Sequence, residues 1–247
     1  MKTALVIGGS NGIGMAIVHT LLPDYEVTVI DRAKPDAFIQ GQCKYVEFDL
    51  TSDDYSVFDA YNGVDLVMVT AGFGRLALFE DIDERLICQY FQVNTIPVMR
   101  MVKHFYNRLL SPHDFYFGVM VSIAGFMSSP FLSVYGATKA ALKVFIESVN
   151  VELEKAGSTN RILNVSPGSI KGTCFNGSKS NDTDETLPLA REIVGCLLQK
   201  DDLFIPKYEE VYRHVLERYH DDFRTEGLHS YEYKQKSGRV KYKDVHE

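Results

Sequence analysis

The sequence of 247 residues has no tryptophan, and its four cysteines are too scattered to form a Cys-x-x-Cys pair: Cys43, Cys88, Cys174 and Cys196. This spacing argues against a disulfide framework and a cysteine-rich zinc site, and it indicates reduced thiols in a cytoplasmic protein. The seven histidines are also dispersed, without the spacing of metal ligands. We therefore expect no bound metal.

An excess of positive charge and a long apolar run are missing as well. The formal net charge of −7 gives no electrostatic footprint for nucleic acid or for an anionic membrane. No stretch reaches the roughly 18 uncharged apolar residues of a spanning helix, and the apolar run after Met1 is too short for a signal peptide. A Gly-x-Ser-x-Gly hydrolase elbow is also absent. We expect the partner to be a small molecule rather than a nucleic acid or a membrane.

The sequence instead alternates short apolar runs with helical patterns. The runs are Ala4–Ile7, Glu26–Ile30, Tyr45–Phe48, Leu66–Val69, Phe117–Val121, Ile162–Val165 and Leu203–Ile205. The candidate helices are Ile13–Leu22, Asp53–Ala60, Asp83–Tyr90, Thr95–Leu110, Val134–Lys155, Leu187–Gln199 and Tyr208–Tyr219. This alternation predicts a single-domain α/β Rossmann fold, with a doubly wound parallel sheet and helices on both faces. We expect a lid loop at about residues 174–188 and a polar C-terminal tail, of no predicted structure, at about residues 220–247.

A glycine-rich turn joins the first predicted strand to the first helix. It reads Gly8-Gly9-Ser10-Asn11-Gly12-Ile13-Gly14. Glycines at this point let the backbone approach a pyrophosphate, which then faces the free N–H groups of the helix. The alternative interpretation is a tight turn without a ligand. Asp31, at the end of the second strand, can accept hydrogen bonds from both ribose hydroxyls and repel a 2′-phosphate; this favours NAD over NADP, although the adjacent Arg32 weakens the exclusion.

Further polar residues and glycines stand where predicted strands end, and the carboxyl ends of the strands line the ligand crevice of an open α/β sheet. Tyr135 and Lys139 share one helix face, four residues apart, so both side chains can reach the same point. Ser122 follows one apolar run, and Asn94 precedes a helix. The other strand-end features are Asp49-Leu50, Thr70-Ala71-Gly72 and Pro167-Gly168-Ser169-Ile170.

Taken in this order, the motifs resemble the short-chain dehydrogenase/reductase family, in its standard-length branch, from residue 1 to about Thr173. The resemblance implies that Tyr135 is the catalytic acid/base and that Lys139 lowers its pKa and holds the nicotinamide ribose. It implies that Ser122 hydrogen-bonds the substrate oxygen and that Asn94 holds a water molecule in the proton relay. The implied cofactor-binding set is Gly8, Ser10, Asn11, Gly12, Ile13, Gly14, Asp31, Arg32, Asp49, Leu50, Ala71, Gly72, Asn94, Tyr135, Lys139, Pro167, Gly168, Ile170 and Thr173.

Simple electrostatics fits these roles. A free tyrosine has a pKa of about 10, and lowering it to about 7 needs roughly 4 kcal/mol of preferential stabilisation of the phenolate. A cation about 4 Å away supplies up to about that much at an effective dielectric near 20. Lys139 would be sufficient at that distance, and an oxidised nicotinamide would add more positive charge.

The sequence departs from the family pattern at three places. The family's first glycine usually follows threonine, and here Gly8 follows Ile7. The family's usual Asn-Asn-Ala-Gly is Val69-Thr70-Ala71-Gly72 here, so an asparagine that ties neighbouring strands together is missing. Thr173 stands one residue later after Pro167-Gly168 than in most members. None of these departures touches the set Asn94, Ser122, Tyr135 and Lys139.

The expected activity is hydride transfer between nicotinamide and a small or medium secondary alcohol or ketone. The expected substrate contacts are Phe73, Ala124, Phe126, Phe131 and Phe175. Two alternatives stay open: a regulatory protein that binds dinucleotide without turnover, and, ranked lower, a sugar-nucleotide epimerase of the extended branch. The resemblance also implies a homodimer or homotetramer formed through Thr95–Leu110 and Val134–Lys155, with Val144, Ile146 and Val149 on the outer face of the second helix.

Overall fold

The computed structural model describes residues 1–170, 173, 182–237 and 240. Within this part, seven parallel strands form one sheet in the order β3-β2-β1-β4-β5-β6-β7. The strands are β1 (Lys2–Ile7), β2 (Tyr25–Asp31), β3 (Lys44–Glu47), β4 (Leu66–Val69), β5 (Tyr116–Met120), β6 (Ile162–Val165) and β7 (Leu203–Phe204). The strand order reverses between β1 and β4, which places a ligand crevice at their carboxyl ends. The predicted doubly wound parallel sheet is confirmed.

Helices cover both faces of the sheet. In the described residues they are α1 (Gly12–Leu21), α2 (Glu84–Asn94), α3 (Ile96–His104), α4 (Tyr106–Leu109), α5 (Ser133–Lys155), α6 (Thr183–Gln199), α7 (Arg213–Asp221) and α8 (Phe223–Lys236). The sequence of β1 is continuously apolar because the strand is buried on both faces. Leu5 and Ile7 belong to the core on one face, and Ala4 and Val6 belong to the core on the other. A strand buried on both faces has no polar side to present.

Three predicted elements differ from the structure. Residues 56–61 form a 3₁₀ helix rather than an α-helix. The predicted helix Thr95–Leu110 is interrupted at Phe105, whose φ of −88° and ψ of 9° separate α3 from α4. Helix α6 begins at Thr183, because the Asp182 side chain accepts hydrogen bonds from the first backbone N–H groups of the helix. Residues 183–188 of the expected lid loop are therefore helical.

Much of the polar C-terminal tail, for which the sequence predicted no structure, is helical. A π-helical segment, Tyr208–Tyr212, leads into α7, and α8 follows directly. Asp222 caps α8 by accepting hydrogen bonds from the N–H groups of Arg224 and Thr225. The structure therefore assigns a helix to residues 223–236 of the polar tail.

The expected outer face of α5 is wrong in part. Ile146 and Val149 are 1% and 7% exposed and belong to the core beneath the helix. Val144 is 59% exposed, as expected, and Val151, seven residues later on the same face, is 69% exposed. The exposed apolar face of α5 is therefore carried by Val144 and Val151.

Candidate active site

The glycine turn fits tightly against the end of β4. Gly8 has a φ of +85°, and a Cβ atom at this position would collide with the backbone of Ala71. A Cβ atom on Gly14 would likewise collide with the carbonyl of Gly8. Close approach of backbone to backbone therefore requires glycine at both positions. The N-terminus of α1 is left facing the crevice.

Thr70 stands where the family pattern has an asparagine, and its side chain connects two neighbouring strands. Its Oγ1 lies 3.1 Å from the carbonyl oxygen of Ile7 and 2.9 Å from that of Gly8, and its hydroxyl donates to them. The hydroxyl thus ties the end of β4 to the end of β1. This departure from the family pattern preserves the contact between the two strands by a different side chain.

Asp31 is held at the end of β2 by the turn itself. Its Oδ2 accepts a hydrogen bond of 3.1 Å from the N–H of Ser10, and its Oδ1 accepts one of 3.2 Å from the N–H of Ala33. The Ser10 hydroxyl donates to the carbonyl of Ala33 at 2.6 Å. These bonds fix a half-exposed carboxylate beside the glycine turn, in the wall of the crevice.

A second carboxylate, Asp49, lines the same end of the crevice. It accepts hydrogen bonds of 2.8 Å from both the backbone N–H and the hydroxyl of Thr51. These bonds lower the pKa of Asp49, and the charge of Arg32 lowers it slightly further. Asp49 therefore stays ionised at neutral pH.

The crevice is one open cavity of about 1590 Å³. A single small-molecule site typically occupies about 300–1,000 Å³, so this cavity has room for two ligands side by side. Apart from Ser10 and Asn94, every residue of the expected cofactor set lines it, and so does Ser122. Ser10 and Asn94 are buried directly behind the wall. Thr173, whose place in the sequence was unusual, lines the cavity and donates to the carbonyl of Ile170 at 3.1 Å.

Ser122, Tyr135 and Lys139 meet in the middle of the cavity wall. Ser122 follows β5, and its hydroxyl accepts a hydrogen bond of 3.1 Å from the N–H of Ala124. Tyr135 and Lys139 lie one helical turn apart near the start of α5, and the Lys139 Nζ is 5.6 Å from the centroid of the Tyr135 ring. The Lys139 ammonium donates to the carbonyl of Met120, the last residue of β5, at 2.9 Å.

Burial dominates the acid–base properties of this group. It raises the pKa of Tyr135 to about 12, while a hydrogen bond with the Ser122 side chain acts in the opposite direction. It lowers the pKa of Lys139 to about 8, because the ammonium has lost its contact with water. The protein alone therefore holds Tyr135 protonated, and Lys139 is mainly charged at neutral pH.

Asn94 connects the segment after β4 to α5. Its Oδ1 accepts from the N–H of Phe73 at 2.9 Å, and its Nδ2 donates to the carbonyl of Phe73 at 2.9 Å and to Thr138 Oγ1 at 3.3 Å. A Cβ atom on Gly72 would lie 3.2 Å from Asn94 Oδ1 and 3.5 Å from Lys139 Nζ. Asn94 thus fixes the chain that passes over the ammonium of Lys139.

The expected substrate contacts divide into three groups. Phe73 and Ala124 line the cavity, with Phe73 stacked on Tyr90 at a centroid distance of 4.6 Å. Phe126 and Phe131 do not line it: Phe126 lies against the ammonium of Lys143, and Phe131 is buried behind the wall. Phe175 lies outside the described residues, as do residues 174–181 of the expected lid.

The C-terminal helices contribute a wall of the cavity, although the sequence did not decide between this position and a contact with a neighbouring subunit. Residues from this region that line it are Val211, Tyr212, Val215, Arg218, Glu226, His229, Ser230, Tyr233 and Lys234. Tyr212, in the π-helical segment, lies so close to Gly168 that a Cβ atom there would collide with its hydroxyl. A signal was present in the sequence: Asp222 before Phe223 is a typical N-cap, and it could have marked the start of α8.

Comparison with known proteins agrees with this geometry. The family model "short chain dehydrogenase" matches residues 2–184. A curated relative from Saccharomyces cerevisiae, the uncharacterized oxidoreductase TDA5, is 29% identical over 187 residues, which cover 71% of this chain and 57% of the relative. The 3-oxoacyl-[acyl-carrier-protein] reductase MabA of Mycobacterium avium is 26% identical over 176 residues, covering 68% of this chain and 67% of that protein.

Solved structures show the same fold. An alcohol dehydrogenase from the archaeon Thermococcus sibiricus, complexed with 5-hydroxy-NADP, superposes with a TM-score of 0.69 at 24% identity and covers 83% of this chain and 95% of that chain. A short-chain dehydrogenase from Streptomyces avermitilis has a TM-score of 0.74 at 20% identity, covering 96% and 98%.

A parallel sheet with a glycine turn at its switch point defines a dinucleotide-binding fold of the Rossmann class. Within that class, this chain belongs to the short-chain dehydrogenase family, because the family model matches far more than half of it. The first curated relatives extend beyond the match, which spans 57% and 61% of their lengths. In the part of the chain that the structure describes, no helix is long and apolar enough to cross a membrane.

Proposed function

We propose that this chain is a nicotinamide-dependent oxidoreductase that interconverts a secondary alcohol and its ketone. The observation that carries the proposal is the placement of Ser122, Tyr135 and Lys139 in the wall of the cavity that also holds the glycine turn. The cavity has room for a dinucleotide and a substrate together, and its wall offers an N-terminal helix end for the phosphates. Relatives named as an oxidoreductase and as a reductase support the same function.

The chain's own residues would position the substrate and move one proton. The hydroxyls of Ser122 and Tyr135 bind the substrate oxygen, and Tyr135 takes the alcohol proton in oxidation or returns it in reduction. A bound nicotinamide would accept or supply the hydride in these two directions. Asn94 positions the backbone over Lys139, and the expected water in the proton relay stays a prediction.

Lys139 alone does not lower the pKa of Tyr135 to neutrality. Lys139 Nζ lies 5.6 Å from the centroid of the Tyr135 ring, and two unit charges at that separation interact by about 3 kcal/mol at an effective dielectric near 20. That energy corresponds to about two pKa units, which leaves a phenol whose pKa is about 12 well above neutrality. The positive charge of an oxidised nicotinamide would therefore be needed as well. Oxidation, which requires the phenolate, is expected to accelerate as the pH rises, and reduction is expected to slow.

We further propose NAD as the preferred cofactor and NADP as the second choice. Asp31 supports this preference, since its carboxylate is fixed at the position where the adenosine ribose hydroxyls would lie. Arg32 beside it offers the only nearby cation among the described cavity-lining residues at this end. A carboxylate and a guanidinium side by side allow a change of preference by a single substitution.

Replacement of the proposed acid/base tests the function directly. Tyr135→Phe is expected to bind NADH as the wild type does in a fluorescence titration, and to lose turnover of any active ketone by at least about a hundredfold. Tyr25→Phe is the matched control, because Tyr25 is similarly buried but begins β2, at the amino-terminal end of the strands and away from the crevice at their carboxyl ends. Turnover that survives in Tyr135→Phe would remove this residue from the mechanism, and a wild type that binds NADH but reduces no carbonyl compound would favour a regulatory role.

A further inference from the structure

Three positively charged side chains stand around the substrate end of the cavity, in a chain whose net charge is −7. They are Arg75 after β4, Arg218 on α7 and Lys234 on α8. The other ionisable side chains from the C-terminal region that line the cavity are Tyr212, Glu226, His229 and Tyr233. With histidine neutral, three cations and one carboxylate leave an excess of two positive charges.

One loop, Ser128–Phe131, brings these cations together. Lys234 Nζ donates to Ser129 Oγ at 2.7 Å and to the carbonyl of Pro130 at 2.8 Å. On the other side, the N–H of Ala77, two residues after Arg75, donates to the carbonyl of Phe131 at 2.9 Å. Lys234 and Arg75 therefore flank the same short loop, a few residues before Tyr135.

The same loop supports α8 at two more points. The Phe131 ring packs on Tyr231 at a centroid distance of 4.5 Å, and Phe131 holds a left-handed φ of 65° in this arrangement. That conformation is rare for a bulky side chain and is kept only where its surroundings fix it. A Cβ atom on Gly227 would lie 3.3 Å from Ser128 Oγ. Arg75, Arg218, Lys234 and the loop Ser128–Phe131 form the edge of the cavity that we call the rim. The rim is thus a packed structure rather than a set of loose surface residues.

Arg218 and Arg75 keep donors available for a ligand. The guanidinium of Arg218 donates through Nε and Nη2 to the two oxygens of Glu226, at 2.7 and 3.2 Å. This fork uses one edge of the guanidinium, and among the described residues Nη1 has no acceptor. The side chain of Arg75 makes no hydrogen bond and no ion pair within the described ranges, although its backbone N–H donates to Tyr90 Oη at 2.9 Å.

We propose that the substrate carries an anionic group, a carboxylate or a phosphate, which binds at this rim between Arg75 and Lys234 while its carbonyl lies at Ser122 and Tyr135. Arg75 donates from the β4 side and Lys234 from the α8 side, and Arg218 adds the donor that Glu226 leaves available. The apolar wall formed by residues such as Phe73 and Met127 then contacts the carbon chain between the two polar ends. This proposal names the substrate class of the proposed oxidoreductase and rests on that function, because it concerns the same cavity.

Binding to the NADH-loaded Tyr135→Phe protein, which is expected to hold the cofactor and to reduce no ketone, tests the proposal at equilibrium. Calorimetry would compare short keto acids with their own methyl esters, and a hydroxy ketone with its phosphate ester. Each anionic compound is expected to bind about tenfold more tightly than its neutral partner, as one charge-assisted hydrogen bond gives. The better anion of the two series identifies carboxylate or phosphate as the recognised group.

Two variants locate the effect. Arg75→Gln and Lys234→Gln are each expected to remove most of the preference for the anion and to leave the binding of the neutral partner within about twofold. Lys236→Gln is the matched control: it lies on the same helix and is 80% exposed beside Glu232, outside the cavity. Arg75→Gln also guards against the undocking of α8, because among the described residues the Arg75 side chain makes no hydrogen bond and no ion pair with that helix.

The outcomes separate the two proposals. Equal binding of acid and ester, no detectable binding of either series, or an equal loss of preference in Lys236→Gln would overturn the anion site. Turnover, followed by nicotinamide absorbance, tests the oxidoreductase itself. Reduction of neutral ketones without any preference for anions would keep the proposed function and refute only this inference.

Discussion

Lys139 shows at the level of a single residue how function and stability oppose each other in this protein. The residue is 3% exposed, and its ammonium donates a hydrogen bond to the carbonyl of Met120 at 2.9 Å. Burial lowers the pKa of Lys139 from 10.5 to about 8. The charge at the site of the proposed reaction therefore lowers the stability of the fold. A buried charge of this kind is typical of functional sites.

Lys139→Met is therefore expected to abolish turnover and to stabilise the fold at pH 7. The shift of the pKa sets an upper limit of about 3 kcal/mol on the gain in the free energy of unfolding, and the lost hydrogen bond to Met120 reduces the gain to about 1–2 kcal/mol. Urea unfolding with intrinsic fluorescence of the 14 tyrosines would measure it.

The pH dependence supplies the control for this variant. The unfolded chain binds more protons than the folded one between about pH 8 and the ordinary lysine pKa, so the wild type gains stability as the pH rises through that window. The advantage of Lys139→Met should shrink over the same window. A variant less stable than the wild type at pH 7 would contradict the account.

At the level of elements, the unit β1–turn–α1 and the end of β2 act together. Asp31 is fixed by the turn through the N–H of Ser10, so the proposed preference for NAD depends on the contact between two elements. The wild type is expected to bind NADH at least about tenfold more tightly than NADPH, since a 2′-phosphate would face a carboxylate.

Asp31→Ser is expected to reduce or reverse that preference, because Arg32 would then be the nearest charged side chain. Fluorescence titration with the two reduced dinucleotides measures both constants. Asp24→Ser removes the same charge from the exposed turn before β2 and should change neither. Tighter binding of NADPH by the wild type would refute the role given to Asp31.

Elements also show where sequence patterns are informative and where they fail. Strands such as β4 and β6 were predicted to the residue, because a strand buried on both faces is marked by every side chain. The break at Phe105 was missed because it depends on the backbone dihedral angles of one residue, which the apolar pattern does not mark. The start of α6 at Thr183 was missed because it depends on the side-chain cap that Asp182 provides. Helix α8 was missed because its sequence carries no continuous apolar stripe, since Leu228 and Tyr233 are exposed, and because its anchoring contacts, such as Tyr231 on Phe131, are 100 residues apart in the chain.

The whole molecule exposes an apolar face that fits association with a second copy. Val144 and Val151 on α5 are 59% and 69% exposed, one above the other. The dimer or tetramer expected from the sequence stays a prediction, with the contact moved from Ile146 and Val149 to this exposed face.

Light scattering would test the assembly. We expect the wild type to have at least the mass of a dimer, and the double variant Val144→Glu, Val151→Glu to have that of a monomer. Leu228→Glu on α8 introduces the same charge at a residue that is 65% exposed, and it should leave the mass unchanged. A monomeric wild type would refute the expectation outright.

The sequence by itself determined the sheet and the glycine turn, because hydrophobic periodicity and strand ends are local signals. Its resemblance to the short-chain dehydrogenase/reductase family singled out the group Asn94, Ser122, Tyr135 and Lys139. Only the tertiary structure decided what surrounds that group. It showed that Thr70 ties β4 to β1 and that burial, more than Lys139, sets the pKa of Tyr135. It also placed α7 and α8 over the cavity, with their charges at its rim. Desolvation and long-range packing depend on residues far apart in the chain, so no local pattern could have encoded them.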